Sequence, residues 1–210
     1  MKTHITFVLD SSGSMSSIRE DTIGGFNSFL EDQKNEPGDS TVTLFEFNTD
    51  VNLLYQDEPL EDAQSLDTET YIPGGRTALH DAIIAAINDT RSYVAERAQV
   101  SPDNVVIVVL TDGKENASET PQKEVRSLVE YQQEDAGWEF LFIGANQDAA
   151  LTASEMGMNV DKALDMDHSG EGTRSAYSST SDVISDIRET GNTDGYNDEH
   201  RAQQDEVSSK

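Results

Sequence analysis

Asp10-Ser11-Ser12-Gly13-Ser14 sets one carboxylate and two hydroxyls at alternate positions, directly behind the apolar run Ile5-Thr6-Phe7-Val8-Leu9. That run reads as a buried strand, so Asp10, Ser12 and Ser14 fall on the loop at its carboxyl end. Their oxygens can turn toward one point, and a hard divalent cation takes oxygen donors of this kind. Two further pieces lie downstream: Thr77 in Gly74-Gly75-Arg76-Thr77 and Asp112 in Leu110-Thr111-Asp112-Gly113. Each piece taken alone also reads as an ordinary turn or helix cap. Together, in this order and at strand ends, they point to a metal site.

The elements that would position them alternate. Residues 5–9 form the first strand and 22–32 a helix, with Ile23, Phe26 and Leu30 at helical spacing. Residues 41–47 and 51–56 are strands joined by Asn48-Thr49-Asp50, which is too short for a parallel crossover, so one of the pair runs antiparallel. A long helix covers 77–97. The uninterrupted apolar stretch within 104–110 is expected to be a central parallel strand, buried on both faces. Thr120 caps and Pro121 starts a helix that stops near Gly137. Residues 138–143 make a further strand, 146–156 a short helix, 159–164 a weak edge strand and 173–189 a final helix. The alternation predicts a three-layer α/β fold with a mostly parallel sheet. Residues 1–190 are expected to form the domain. Residues 191–210 hold few apolar side chains and read as a disordered acidic tail.

The pattern Asp10-x-Ser12-x-Ser14, then Thr77, then Asp112, resembles the metal-ion-dependent adhesion site (MIDAS) of von Willebrand factor A (vWA) domains, matching at all five positions. The resemblance covers about residues 2–189. It implies a doubly wound, Rossmann-like sheet of order 3-2-1-4-5-6 with an antiparallel third strand. Asp10 and Asp112 would then end neighbouring strands at the switch point, where ligands of open α/β sheets bind. It also implies that Ser12, Ser14 and Thr77 ligate Mg²⁺ directly (with Mn²⁺ or Ca²⁺ as alternatives), while Asp10 and Asp112 act mainly through water. An ion held so stays electrophilic and could capture an Asp or Glu of a partner protein. Arg76 departs from the family pattern, where a small or polar residue is usual. His80, one turn after Thr77, reads as a surface or supporting residue.

The charge is the second strong signal. There are 41 Asp and Glu against 14 Lys and Arg, a formal net of −27, spread along the whole chain. Such a surface repels itself until salt screens it. This reads as adaptation to high internal salt, in a halophilic member, haloarchaeal or otherwise. Nucleic acid and anionic membranes are poor partners because no basic patch is visible. No apolar run is long enough for a membrane span, the first residues lack a signal-peptide layout, and there is no cysteine. A cytoplasmic location is expected.

Enzymatic readings fare worse. A phosphatase of the haloacid dehalogenase class needs an Asp where Ser12 stands. No Gly-x-Ser-x-Gly elbow occurs, and the four histidines show no catalytic arrangement. Asp165-Met166-Asp167-His168-Ser169-Gly170 imitates a calcium loop, but its twelfth position is Ala176 instead of Glu. The sequence therefore predicts a non-catalytic, Mg²⁺-dependent interaction module. The alternatives are an accessory subunit of an AAA+ ATPase and a structural or viral-assembly component.

Overall fold

The computed structural model describes residues 1–97, 101–145 and 148–209. Six strands form one sheet in the order β3-β2-β1-β4-β5-β6. They are β1 (Thr3–Asp10), β2 (Ser40–Phe47), β3 (Val51–Pro59), β4 (Asn104–Thr111), β5 (Glu139–Ala145) and β6 (Ala163–Met166). Only β3 runs antiparallel to its neighbour. Its hairpin turn is tied locally, Asp50 N–H donating to Asn48 Oδ1 at 3.1 Å. The helices are α1 (Arg19–Asn35), α2 (Leu79–Glu96), α3 (Gln122–Ala136), α4 (Ala149–Glu155), α5 (Gly170–Thr190) and α6 (Asp198–Ser208). The fold is a doubly wound α/β domain with a largely parallel sheet.

The strand period of two divides the core. Ile5, Phe7 and Leu9 of β1 and Val106, Val108 and Leu110 of β4 pack with α1 and α5. Val8, Ile107 and Val109 pack with α2, α3 and α4 on the other face. Both central strands are therefore covered on both sides, which is why β4 is apolar from Val105 to Leu110 and why every residue of β1 is buried. Gly25 lets α1 approach α5: a Cβ there would meet the Tyr177 ring at 2.3 Å.

β1 also carries polar residues into the α2 side. His4 is fully buried. Its Nδ1 lies 2.9 Å from Thr41 Oγ1 and its Nε2 3.1 Å from Thr6 Oγ1. Its ring stacks on Tyr93 with centroids 4.1 Å apart. Burial, aided by the charges of Arg97 and Lys2, pushes the imidazole down to about 3, so it is neutral at ordinary pH.

Several expectations shift. Pro121 precedes α3 and Thr120 makes no cap; its carbonyl faces the His80 ring instead. The edge strand is β6, Ala163–Met166, later than expected. Ser169, in the false calcium loop, caps α5 by accepting Gly172 N–H at 3.1 Å. The first positions of the expected helix 146–156 lie outside the described residues. The tail expected to be disordered instead carries α6. That helix has few apolar residues and is held by polar contacts. Asn197 and His200 form its capping box. Gln204 accepts Asp167 N–H at 2.9 Å and donates to Gly172 O at 3.1 Å. Tyr196, just before it, is buried against Thr180 at 2.9 Å between hydroxyls.

Candidate functional site at the carboxyl end of the sheet

β1 and β4 pair in parallel register through Leu9 and Leu110, so Asp10 and Asp112 emerge side by side. The Asp10 carboxylate is wholly buried. It accepts Ser12 N–H at 2.6 Å on Oδ1 and Thr111 Oγ1–H at 2.5 Å on Oδ2. Burial pushes this carboxyl up to about 6, against the pull of those hydrogen bonds, and the neighbouring Asp112 raises it further.

The hydroxyls join the same cluster. Ser12 Oγ lies 3.1 Å from Ser14 Oγ, and Ser14 Oγ donates to Asp112 Oδ1 at 2.6 Å. Thr77 reaches it across Gly113: a Cβ on that glycine would stand 2.9 Å from Thr77 Oγ1 and 3.7 Å from Ser12 Oγ. The structure thus gathers all five residues, with Ser14 exposed and the other four nearly covered.

Backbone bonds stitch the loops that carry them. Gly74 N–H donates to Ser11 O at 2.8 Å and Gly13 N–H to Gly75 O at 3.2 Å. Tyr71, fully buried, donates its hydroxyl to Asp10 O at 2.5 Å. Arg76 turns aside, its guanidinium donating to Asn116 O.

Two contributors have no local signal in the sequence. His168, from the loop after β6, puts Nε2 2.8 Å from Asp112 Oδ2, an ion-pair distance with poor hydrogen-bond alignment. Glu115 folds the loop after β4. Its carboxylate accepts Ala117 N–H at 2.8 Å, Ser118 N–H at 2.7 Å and, from the first turn of α2, His80 N–H at 3.0 Å. Burial works against this carboxylate, but the hydrogen bonds prevail and hold it below the usual range. α2 has no side-chain cap of its own, so Glu115 supplies one from another segment. Asp81 returns the arrangement, accepting Glu119 and Thr120 N–H at 3.0 and 2.9 Å.

The von Willebrand factor type A domain family matches residues 4–189, and the chain belongs to that family. Domains of this family are generally non-catalytic adhesion and interaction modules, and no enzyme activity is assigned here. A comparison with curated proteins gave no match. Among solved structures, the chain is similar to proximal thread matrix protein 1 from the mussel byssus, described with a zinc-occupied MIDAS motif. The identity is 18% and the TM-score 0.63, over 87% of this chain and 46% of that one. It is also similar to the vWF domain of the type V pili tip protein Mfa5 from Porphyromonas gingivalis, at 10% identity and TM-score 0.63, over 91% and 97% of the two chains. A third is BatB from Bacteroides thetaiotaomicron, at 16% identity and TM-score 0.57, over 90% and 100%. The chain spans about half the length of the byssus protein. At these identities the likeness is one of fold alone.

Four expectations are corrected. Among the described residues, no group of three or more His, Cys, Asp or Glu side chains is placed to hold a metal ion. The cluster offers only two carboxylates, and their oxygens already face Ser12, Thr111, Ser14 and His168. The complete MIDAS and its Mg²⁺, Mn²⁺ or Ca²⁺ are therefore not assigned. Capture of a partner's Asp or Glu through that ion falls with them. The halophilic or haloarchaeal origin is withdrawn as well, since matches of fold alone carry nothing about source. Among the described residues no helix is long and apolar enough to cross a membrane.

Proposed function

We propose that the chain is a protein-interaction module whose contact face is the carboxyl end of the sheet, centred on Asp10, Ser12, Ser14, Thr77 and Asp112. The observation that carries this is the exposure of Ile72. It is 61% exposed, the highest among the large apolar side chains of the described residues. It directly follows Tyr71, which is bonded to Asp10, so it sits at the rim of the cluster on an anchored loop. An apolar anchor beside fixed polar groups is the composition of a contact face with a central hot spot and a polar rim. A cytoplasmic setting is the second part of the proposal, supported by the cysteine-free composition.

Photo-crosslinking tests the first part. A benzoylphenylalanine at position 72 should give discrete protein adducts in source-cell lysate. The same probe at Tyr131, an exposed position on α3, should not. Equal adduct patterns from both positions, or none from 72, would overturn the assignment of this face.

A further inference from the structure

A cavity of about 410 Å³ opens at the opposite end of the sheet, where β1 and β2 begin. Its walls invert the charge of the molecule. Four of the chain's 14 basic residues line it: Lys2, Lys34, Arg97 and Arg188. Only three of its 41 acids do so: Glu36, Asp39 and Glu61. At physiological salt the screening length is about 8 Å, so these lining charges, a net of +1 against −27 for the whole chain, set the field inside.

Two of the lining groups are built in and not merely nearby. Arg188 is only 6% exposed, yet among the described residues no carboxylate stands within ion-pair distance of it. Its guanidinium donates to the main-chain carbonyls of Gln33 at 2.6 Å, Glu36 at 3.1 Å and Gly38 at 3.0 Å. Those neutral acceptors satisfy its donors, and the Glu36 carboxylate favours its charge without reaching ion-pair distance, so a covered cation is only partly compensated, which is costly. Ser40 is 9% exposed, and its Oγ is buried without a hydrogen-bond partner. A buried hydroxyl left unpaired is equally unusual. An anion in the cavity would compensate the cation, and rotation of the Ser40 side chain would bring its hydroxyl to that anion.

We propose that this cavity binds a small phosphate monoester. Its phosphoryl group takes the Ser40 hydroxyl and the cationic side chains of Lys2, Lys34 and Arg97, in the field of Arg188. A doubly charged head gains more from several cations than a carboxylate does, and guanidinium and ammonium groups suit its oxygens. The volume lies within the usual range of small-molecule sites, about 300–1,000 Å³, and exceeds what bare phosphate would fill. The organic part lies along Pro59 and Leu60, the apolar side of the wall.

The test is a titration of the full chain followed by amide NMR, with inorganic phosphate, phenyl phosphate and benzoate as probes. Phenyl phosphate should give saturable shifts at Lys34, Ser40 and Thr41, with tighter binding than inorganic phosphate and about tenfold tighter than benzoate. Ser40→Ala and Arg97→Ala should each weaken it by about tenfold while the remaining amide spectrum stays folded. Arg188 is left intact because it ties the end of α1. Absence of saturation, shifts confined to other surfaces, equal binding of benzoate, or unchanged affinity in both variants would overturn the proposal.

Discussion

Ser14 donates its hydroxyl to Asp112 at 2.6 Å, joining the loop after β1 to the end of β4 across 98 positions of sequence. Each of these loops is also bonded to the segment before α2. The cluster therefore behaves as one hydrogen-bonded unit, and its pairwise terms should couple. In a double-mutant cycle of Ser14→Ala and Asp112→Ala, measured by urea unfolding, we expect a coupling energy of about 1 kcal/mol. Strict additivity would show that the bond is not formed in solution.

Gly113 is the spacer that lets Thr77 and Ser12 approach the same point. Gly113→Ala brings a Cβ to 2.9 Å from Thr77 Oγ1. The chain should lose about 1–3 kcal/mol of stability as the loops spread. Thr77→Ser keeps the hydroxyl and removes the methyl, which lies 3.6 Å from that Cβ. It should recover little, because the close contact is with the oxygen. Denaturant midpoints of the single and double variants decide this.

The adjacent glycines of α1 should respond in opposite directions. A methyl on Gly24 would have nothing within 4 Å of it, so Gly24→Ala should stabilise the helix by about 0.5–1 kcal/mol. Gly25→Ala meets the Tyr177 ring and should cost about 1–3 kcal/mol. Thermal melts of the two variants, shifted to the same side of the wild type, would contradict the α1–α5 packing.

His4 provides a pH signature. Its folded value is depressed from 6.5 to about 3, so the folded state binds fewer protons than the unfolded chain between those limits. Its contribution is complete above pH 6.5 and declines as pH falls toward 3, by about 1.4 kcal/mol per pH unit across that window. His4→Leu should flatten the stability profile over this range. The substitution leaves Thr6 bonded to Thr90 at 2.7 Å and Thr41 to Tyr93 at 2.9 Å. An unchanged slope in chemical denaturation between pH 6.5 and 4 would refute the buried neutral imidazole.

The sheet was readable because its determinants are local. The unbroken apolar run of β4 requires cover on both faces, and the three-residue link between β2 and β3 forbids a parallel crossover. The proximity of Asp10 and Asp112 rests on the strand order that the vWA resemblance implies, which sets β1 beside β4. The chemistry assigned to them does not follow from it, because residue types at a spacing do not show which partners the oxygens face. The roles of His168, Glu115 and Asp81 are not legible in the sequence for a related reason: each acts on a segment distant in sequence, and no period marks such a bond. α6 is not legible in the sequence because its sparse apolar content reads as disorder. Its hold on the domain comes from Gln204, Arg201 and the Asn197 cap.

Glu115 has a kinetic consequence. One carboxylate grips amides of its own loop and the His80 amide 35 residues away. Neither segment can release its hydrogens to solvent while the other stays in place. Amide exchange at His80, Ala117 and Ser118 should therefore proceed through a shared opening, at matched protection, and not as separate fraying of a loop and a helix end.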